Sequence, residues 1–410
     1  MISKRKAIIG AILLVIVTAI VSSIFSIQLS TYMDIKTGDG ILSGKNLSRA
    51  KRYNKLDEVR DTLERYYIEE PSDDEMMTGA IKGMVASLGD PYTYYFTEEE
   101  FEDFMERTKG SYAGVGMMVT IDEEDNQIVI IKTFEGSPAF EAGLVADDKI
   151  IKVDDMDVDG SMMDKAVAHM RGKPGTDVKV TILRDGTTKE YTLERAVVNI
   201  PDLEYKMIED NIGYIWLYQF DENSDKNFAN ALNDLSKQGM EGLVVDLRGN
   251  PGGLLDTCVN IANMLVPQGI ITYREDRLGN REDYKSKADY LDIPLVVLVD
   301  ENSASASEVL SGAIQDYGVG TIVGKTTYGK GVVQTLKPFK DGSGLKFTNS
   351  KYFTPKGRDI HEKGVVPDIE IDLGQAAIDF LKENPNEDLP LELDIPLQGA
   401  IEEIKKKLIR

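Results

Sequence analysis

Between residues 200 and 372 the sequence alternates short apolar runs with segments of helical periodicity, and this alternation constrains the fold more than any other feature. Three runs rich in β-branched residues are each followed by a segment whose apolar residues recur at helical spacing. These strand–helix pairs are 212–220 with 224–237, 242–247 with 253–265, and 294–299 with 306–317. Further strands are predicted at 321–323, 332–336 and 345–353. The repeated β-α order predicts an α/β core with parallel strands over residues 199–375.

The regions on either side of this core have a different character. Residues 111–198 contain one helix-like segment, near 162–170, among short β-like runs, which predicts a compact β-rich domain. The runs are 116–121, 128–133, 149–153, 177–184 and 188–194. Residues 33–110 and the tail at 376–410 are predicted to be helical, and the apolar stripes of the first region suit core packing or a homodimer.

Two capping-box patterns mark helix starts within residues 33–110. Ser72 stands three residues before Glu75, and Thr97 stands three residues before Glu100. In this pattern the first side chain accepts from a backbone N–H of the first turn, and the acidic side chain accepts from the backbone N–H of the cap. Both patterns therefore predict that a helix begins at the following residue.

The N-terminal sequence predicts where in the cell the protein lies. Residues 7–33 carry no charge, and residues 7–29 are mostly apolar, which is long enough for a helix to cross a hydrocarbon core of roughly 30 Å. Lys4, Arg5 and Lys6 precede this stretch, so the positive-inside rule keeps Met1 in the cytoplasm and places the rest of the chain outside. A cleaved signal peptide is the alternative, but no small-x-small cleavage site is evident. Residues 1–32 are therefore predicted to be an uncleaved transmembrane anchor.

The composition excludes several classes of partner and site. Lys and Arg number 47 against 70 Asp and Glu, and the resulting charge of −23 repels phosphate backbones, so nucleic acid is not expected as a partner. A single cysteine, Cys258, rules out an intramolecular disulfide framework or a cysteine-based metal site. With only His169 and His361, a histidine-rich metal site is not expected either. No metal or other cofactor is predicted.

Residues 301–308, E-N-S-A-S-A-S-E, stand where an apolar run meets a helix-like segment. Small residues allow a tight turn there, and a helix N-terminus directs unpaired N–H groups at whatever lies beside it. Such a place suits a nucleophilic serine and an oxyanion. The structural alternative is that Ser305 and Glu308 form an ordinary capping box.

A nucleophilic serine needs a base, and neither histidine lies in a supporting motif. A lysine can serve only when neutral, and desolvation must lower its pKa by about 3 units for that near neutral pH. Lys330, in Y-G-K-G-V-V-Q, lies between two glycines and beside two valines, which provides a close, apolar setting. A third segment, D-L-R-G-N-P-G-G at 246–253, matches no nucleotide-binding motif, but its amides could face an oxyanion.

These three segments, in this order, resemble the carboxy-terminal processing (tail-specific) peptidases, which are serine peptidases with a Ser/Lys pair. The resemblance implies that Ser305 is the nucleophile and Lys330 the general base. Ser303 and Ser307 are rival hydroxyls, but the family pattern selects the middle serine. It implies that Gln334 orients the lysine. Residues four apart in an extended strand are about 13 Å apart, so Lys330 and Gln334 touch only if a turn or bulge intervenes. The oxyanion amides would be those of Ala306 and of Gly252 or Gly253.

Residues 111–198 resemble a PDZ domain. Residues 112–117, Y-A-G-V-G-M, look like its carboxylate-binding loop, in which Gly114, Val115, Gly116 and Met117 would bind the peptide. The stretch at 136–150 is similar to the sequence that follows the second strand of such domains. PDZ domains bind C-terminal peptides by strand addition, which suits an enzyme that selects substrates by their C-termini. In the family this domain is implicated in gating, and Arg171 is either a switch contact or an ordinary surface arginine.

The sequence therefore predicts a crotonase/Clp-like α/β peptidase core with an inserted PDZ domain, a helical N-terminal region and a transmembrane helix. The predicted function is a membrane-anchored serine endopeptidase that processes polypeptides with free C-termini on the extracytoplasmic side of the membrane. Two alternatives are a non-catalytic PDZ adaptor, which does not need the three catalytic side chains together, and a crotonase-like acyl-CoA enzyme. The latter leaves the PDZ module and the anchor unexplained.

Overall fold

The computed structural model describes residues 44–409, except 109–110, 123, 288 and 385–388. The described chain divides into two compact units, one up to Ser87 and one from Leu88 onward. The first contains two helices, α1 (Gly44–Tyr66) and α2 (Asp73–Ala86). The Ser72 side chain accepts from Glu75 N at 3.3 Å, so Ser72 is the N-cap of α2 as predicted, and both bonds of the capping box are made between Thr97 and Glu100.

The second unit begins with a short strand, a helix and a β-rich module. Their order is β1 (Tyr94–Phe96), α3 (Glu98–Thr108), β2 (Ser111–Gly114), β3 (Met117–Asp122), β4 (Gln127–Thr133), α4 (Pro138–Glu141), β5 (Lys149–Val153), β6 (Met156–Asp157), α5 (Met163–Met170), β7 (Asp177–Arg184), β8 (Thr187–Glu194) and β9 (Ala196–Asn199). Strands β3, β4, β5, β7 and β8 form one antiparallel sheet in that spatial order. Its buried face packs with α5 around a core of its own.

The rest of the unit alternates strands and helices. The elements are β10 (Leu203–Met207), β11 (Ile212–Leu217), α6 (Ser224–Lys237), β12 (Gly242–Asp246), α7 (Leu255–Leu265), β13 (Gly269–Asp276), β14 (Arg281–Ser286), β15 (Leu295–Val299), α8 (Ala306–Tyr317), β16 (Gly320–Gly324), β17 (Val332–Pro338), β18 (Gly344–Phe353), β19 (Ile369–Glu370), α9 (Gln375–Glu383) and α10 (Ile395–Leu408). One sheet has the order β10-β11-β12-β15-β16-β19 and is parallel except for its β10–β11 pair.

Both faces of this sheet are covered, which explains why its central strands are apolar throughout. Strands β12 and β15 are buried at every position. Residues on one face of the sheet, among them Val245 and Val297, pack with α6, α7 and α8. The other face packs against α10 through Ile401 and Ile404. Parallel strands covered on both sides are characteristically continuous apolar runs, as the sequence predicted here.

A second, antiparallel sheet contains the candidate site residue Gln334, which lies on β17. It consists of β1, β18, β13 and β14 in that order, with β17 also paired to β18. Residues 94–96 differ from the predicted helical region, because the aromatic run Tyr94-Tyr95-Phe96 pairs with Lys346, Leu345 and Gly344 of β18. Aromatic residues fit a pleated, half-buried surface better than a helix.

The predicted transmembrane segment lies outside the described residues. Within 44–409, apart from the gaps given above, no helix is long and apolar enough to cross a membrane.

Candidate active site

Ser305 is the residue immediately before α8, at the end of the loop that follows β15. Its φ of +56° and ψ of −110° place it in a backbone region that residues other than glycine rarely adopt. Such a conformation costs on the order of 1–3 kcal/mol and needs surrounding structure to hold it. Ser305 is partly exposed, whereas Ser303 and Ser307 are buried and their hydroxyls donate to the carbonyls of Leu247 and Asn250.

The glycine loop at 246–253 lies directly against this serine. A Cβ on Gly252 would come within 2.9 Å of Ser305 Cβ and 3.0 Å of Ala306 N, so only glycine permits this approach. The buried Asn250 ties the two loops together, because its carbonyl accepts from Ala304 N at 3.0 Å and from the Ser307 hydroxyl.

The same asparagine distinguishes the two candidate oxyanion glycines. Asn250 Oδ1 accepts from Gly252 N at 2.8 Å, so this amide is already engaged, contrary to what the sequence allowed. Gly253 forms a parallel bridge with Phe220 in which Gly252 O and Leu254 N make the bonds, so the N–H of Gly253 points away from Phe220. Within the described residues, no hydrogen bond uses the N–H of Gly253 or of Ala306.

Glu308 joins the nucleophile loop to the lysine loop. Its side chain has no solvent exposure. One carboxylate oxygen accepts from Ser305 N at 2.7 Å and Lys330 N at 2.8 Å. The other accepts from Thr327 Oγ1 at 2.6 Å and Gly329 N at 2.7 Å. The carboxylate therefore does more than cap α8, because it fixes the backbone on both sides of the candidate dyad.

Lys330 lies in the apolar setting that the sequence predicted. Gly331 packs against the backbone of His361, where a Cβ would come within 2.5 Å of His361 N. Burial lowers the pKa of Lys330, and the nearby charge of Lys346 lowers it further. The Nζ atom lies 4.7 Å from the centroid of the Tyr92 ring, so an aromatic face from a distant part of the chain contacts the amine.

Gln334 lies near this lysine in the chain but is not joined to it. Its Nε2 donates to Thr348 Oγ1 at 3.2 Å and to Val332 O at 3.4 Å. The pairing of β17 with β18 shifts between Val333 and Gln334. Among the described residues, no hydrogen bond connects the Gln334 and Lys330 side chains, so the predicted orienting contact is not made in this conformation.

Tyr112 is the first residue of the predicted carboxylate loop, and its ring lies against that loop. Burial raises the pKa of Tyr112, against the opposing effect of the backbone N–H groups of Met117 and Gly116, which its hydroxyl faces. A Cβ on Gly114 would touch the Tyr112 ring at 2.8 Å, and the Arg171 guanidinium carbon lies 5.4 Å from the centroid of that ring. The Tyr112 hydroxyl therefore faces two amides that the sequence assigned to a peptide carboxylate.

A cavity of about 820 Å³ lies beside α10 and does not include the candidate dyad. Trp216 and Arg248 are among its lining residues, but Ser305, Lys330 and Gln334 are not. Across the part of the chain that the structure describes, no group of three or more His, Cys, Asp or Glu side chains is placed to hold a metal ion.

Comparison with known proteins agrees with this geometry. Residues 211–371 match peptidase family S41, residues 115–194 match the PDZ domain, and residues 36–100 match the N-terminal domain of the activating protease CtpB. The carboxy-terminal processing protease CtpA of Bacillus subtilis is 35% identical over 364 residues, which cover 88% of this chain and 76% of that protein. The chain belongs to the carboxy-terminal processing proteases of peptidase family S41.

Two further comparisons agree with the assignment of this chain to peptidase family S41. A CtpA-like serine protease of Staphylococcus aureus is 35% identical over 368 residues, covering 89% of this chain and 71% of that one. A solved structure assigned to the S41 proteases, from Bacteroides fragilis, is similar in fold, with a TM-score of 0.51 at 15% identity over 83% of this chain and 92% of that one. The S41 peptidase described here is therefore a serine-type hydrolase with a PDZ domain.

Several residues of this S41 peptidase were not found from its sequence. Asn250 and Glu308 both lie inside motifs that the sequence analysis singled out. Their amide and carboxylate groups, which can join one loop to another, could have indicated the role of each. Asp90 and Tyr92 lie far upstream, in D-P-Y-T at 90–93, and no local pattern connects them with the site.

Proposed function

We propose that this peptidase cleaves polypeptides with a Ser305/Lys330 dyad and that it selects substrates by their free C-termini. The proposal rests mainly on Ser305, the partly exposed hydroxyl of the three, which lies in a strained conformation at a helix N-terminus with two unengaged amides nearby. Oxyanion stabilisation requires such preorganised donors. We assign the donors as the N–H groups of Ala306 and Gly253, because Gly252 N already donates to Asn250.

In the proposed reaction, neutral Lys330 accepts the proton of the Ser305 hydroxyl as Oγ attacks the scissile carbonyl carbon. The tetrahedral oxyanion is held by the two amides. The ammonium of Lys330 then gives its proton to the leaving amine, the C–N bond breaks, and an acyl-enzyme remains. Water, deprotonated by Lys330, hydrolyses this ester. Among the described residues no hydrogen bond joins Ser305 Oγ to Lys330 Nζ, which lies beside the Tyr92 ring, so the two side chains must approach for the first step.

The PDZ domain supports the substrate class. Strand addition at β3, with the terminal carboxylate at the amides of Gly116 and Met117, would present a C-terminal segment to the enzyme. The terminal side chain would enter the apolar space between β3 and α5, where Met117, Ala166 and Met170 belong to one cluster. We further propose that residues 1–32 anchor the enzyme in the membrane, with its catalytic region on the extracytoplasmic side, because the uncharged stretch follows three basic residues.

Replacing the nucleophile tests the central assignment. Ser305→Ala should abolish cleavage of an unstructured polypeptide while changing the free energy of unfolding by at most about 1–2 kcal/mol, the cost of a lost cap. Ser303→Ala and Ser307→Ala are comparators whose buried hydroxyls bond to carbonyls, so they should reduce stability more than chemistry. Turnover near the wild-type rate in Ser305→Ala would refute the assignment.

The role of Lys330 as general base is tested by a substitution that keeps the positive charge but removes the ability to accept a proton. Lys330→Arg should be as inactive as Lys330→Ala, because arginine does not deprotonate in proteins. The assay is steady-state turnover together with a thermal melt that confirms folding. An active Lys330→Arg variant would redirect attention to His361, whose backbone packs against Gly331.

A further inference from the structure

We propose that Asp90, Thr93 and Thr348 are positioning residues that fix the amide of Gln334, so that the turn before β1 completes the catalytic site. The inference rests on the proposed Ser305/Lys330 dyad and extends it to a segment more than 200 residues upstream of the nucleophile. These residues do not touch the reacting atoms. They act through Gln334 and through the position of Lys330.

A continuous hydrogen-bond chain carries the proposal. Gln334 Nε2 donates to Thr348 Oγ1 at 3.2 Å, and the Thr348 hydroxyl faces the Asp90 carboxylate. The backbone N–H of Thr348 donates to Thr93 Oγ1 at 3.1 Å. Thr93 Oγ1 donates to Asp90 Oδ2 at 2.5 Å, and Asp90 Oδ1 accepts from Tyr92 N at 2.9 Å. Thr93 is buried, so this junction is shielded from water.

The chain determines which end of the Gln334 amide is available. An amide has two donor hydrogens on nitrogen and an acceptor oxygen. Because Nε2 is committed to Thr348 Oγ1 and Val332 O, the oxygen is the end left to accept from the Lys330 amine. Without the Thr348 hydroxyl the amide could rotate, and its NH₂ group would then face a donor. The same turn places the Tyr92 ring against Nζ, so one segment sets both neighbours of the lysine.

The charge of Asp90 gives a readout that a purely structural role does not. The charged groups that face Lys330 are Lys346 on β18, Glu308 on α8 and Asp90. The carboxylates of Asp90 and Glu308 raise the pKa of Lys330, against the larger effects of burial and Lys346. His361 also faces Asp90, and Tyr328 faces Tyr92. Neutralising Asp90 should therefore lower the pKa of Lys330 and move the acid limb of kcat/KM to lower pH.

The experiment compares variants of the intact chain on a quenched fluorogenic peptide with a free, apolar C-terminus. Thr348→Val removes the hydroxyl but keeps the shape, and it should lower kcat by up to about 100-fold with little change in KM. Thr348→Ser restores a hydroxyl and should recover most of the rate. Thr335→Val is the matched control, because Thr335 Oγ1 lies on the same hairpin but bonds to Asn349 Nδ2. Its kcat should stay within about twofold of the wild type.

Asp90→Asn provides the second measurement, and it decides the matter if Thr348→Val fails to fold. The expected result is a lower kcat and an acid limb at lower pH, while Thr335→Val keeps the wild-type profile. The proposal is overturned if Thr348→Val behaves as Thr335→Val does, or if Asp90→Asn leaves the limb in place or raises it. These failures differ from failure of the dyad itself, which would appear as an active Ser305→Ala variant.

Discussion

Glu308 shows how much one buried carboxylate can organise. It accepts four hydrogen bonds, three from backbone N–H groups and one from a hydroxyl, and it has no exposure to water. Bonds to a charged acceptor contribute more than neutral ones, and an unpaired buried donor costs about 1–3 kcal/mol. The sequence pattern explains only the bond to Ser305 N, so the contact with the lysine loop is the larger finding.

Glu308→Gln should therefore damage both stability and activity. The variant keeps one amide oxygen but turns an NH₂ group toward two of the four donors. We expect a loss of about 2–4 kcal/mol in the free energy of unfolding, measured by urea denaturation, and a strongly reduced kcat. Thr327→Val removes one donor to Glu308 together with the acceptor of Val365 N, and it should cost less because the three backbone donors keep their carboxylate. A Glu308→Gln variant as stable as the wild type would show that the carboxylate is not required.

The lysine pair predicts a pH effect. The charge of Lys346 lowers the pKa of Lys330, in addition to burial, and Lys346 lies 5.0 Å above the ring centroid of Phe104. Lys346→Met removes the like charge, so the pKa of Lys330 should rise and the acid limb of kcat/KM should move to higher pH. Lys337→Met on the same hairpin is the control and should not move it. A downward shift in Lys346→Met would contradict this account.

Site residues could be predicted from the sequence where they lie within one short motif, and not where they come together from remote segments of the chain. Ser305 and Lys330 could be located from the sequence because each lies in a contiguous motif. The small residues of both motifs allow the backbone to turn tightly or to approach a neighbouring segment closely. Asp90 and Thr348 could not, because a hydrogen-bond chain between remote segments leaves no local periodicity. Gly252 and Gly253 are equivalent in sequence, and only the side-chain bond from Asn250 separates them.

At the scale of elements, the strongest predictions were the strands of the parallel sheet and the helices between them. Helices at 224–237 and 306–317 were predicted at their observed bounds, and β15 was predicted within one residue. The hairpin β13–β14 was not predicted, because its outer strand is largely polar and exposed and so lacks a clear apolar alternation. Strand β1 is short and depends on pairing with β18, which sequence alone does not reveal.

The carboxylate loop of the PDZ domain provides a prediction at this scale. In Ser305→Ala enzyme, a peptide with a free C-terminus should bind more tightly than its amidated form by about 1–3 kcal/mol, because the amide lacks the anion that the loop accepts. Tyr112→Phe removes the hydroxyl that faces the N–H groups of Gly116 and Met117, so the free-acid peptide should bind more tightly still.

Calorimetric titration measures both effects. Tyr205→Phe is the matched control, because Tyr205 lies outside the PDZ domain and its hydroxyl donates to Asp234. Equal affinities for the free-acid and amidated peptides would leave the module without a carboxylate-reading role. Unchanged affinity in Tyr112→Phe would show that the hydroxyl does not compete.

At the scale of the whole molecule, the C-terminal helix is connected to the glycine loop. Arg248, at the start of that loop, donates to both carboxylate oxygens of Asp394 at 2.8 Å and also to Asp246. Asp394 is the N-cap of α10 and accepts from Leu397 N. Both carboxylates are buried, so this pairing is protected from water and salt.

Asp394→Ala should be strongly destabilising, since it removes one partner of a buried ion pair together with a helix cap. We expect a loss of about 3–5 kcal/mol in unfolding free energy, measured by urea denaturation. Glu190→Ala removes an exposed partner of Lys179 instead and should cost less than about 1 kcal/mol. Similar losses in the two variants would show that burial of the Arg248 pair adds nothing.

The hydrogen bond from Thr348 N to Thr93 spans 255 residues, and the Arg248–Asp394 pair spans 146. During synthesis the turn that positions Gln334 leaves the ribosome long before its partner. At roughly 5–20 residues per second the interval is about 13–50 s. When Ser305 and Lys330 emerge, this turn has already been made, and Thr348 follows Lys330 after only a short stretch of chain. Asp394 is made much later, so the glycine loop lacks its C-terminal support until translation is nearly complete.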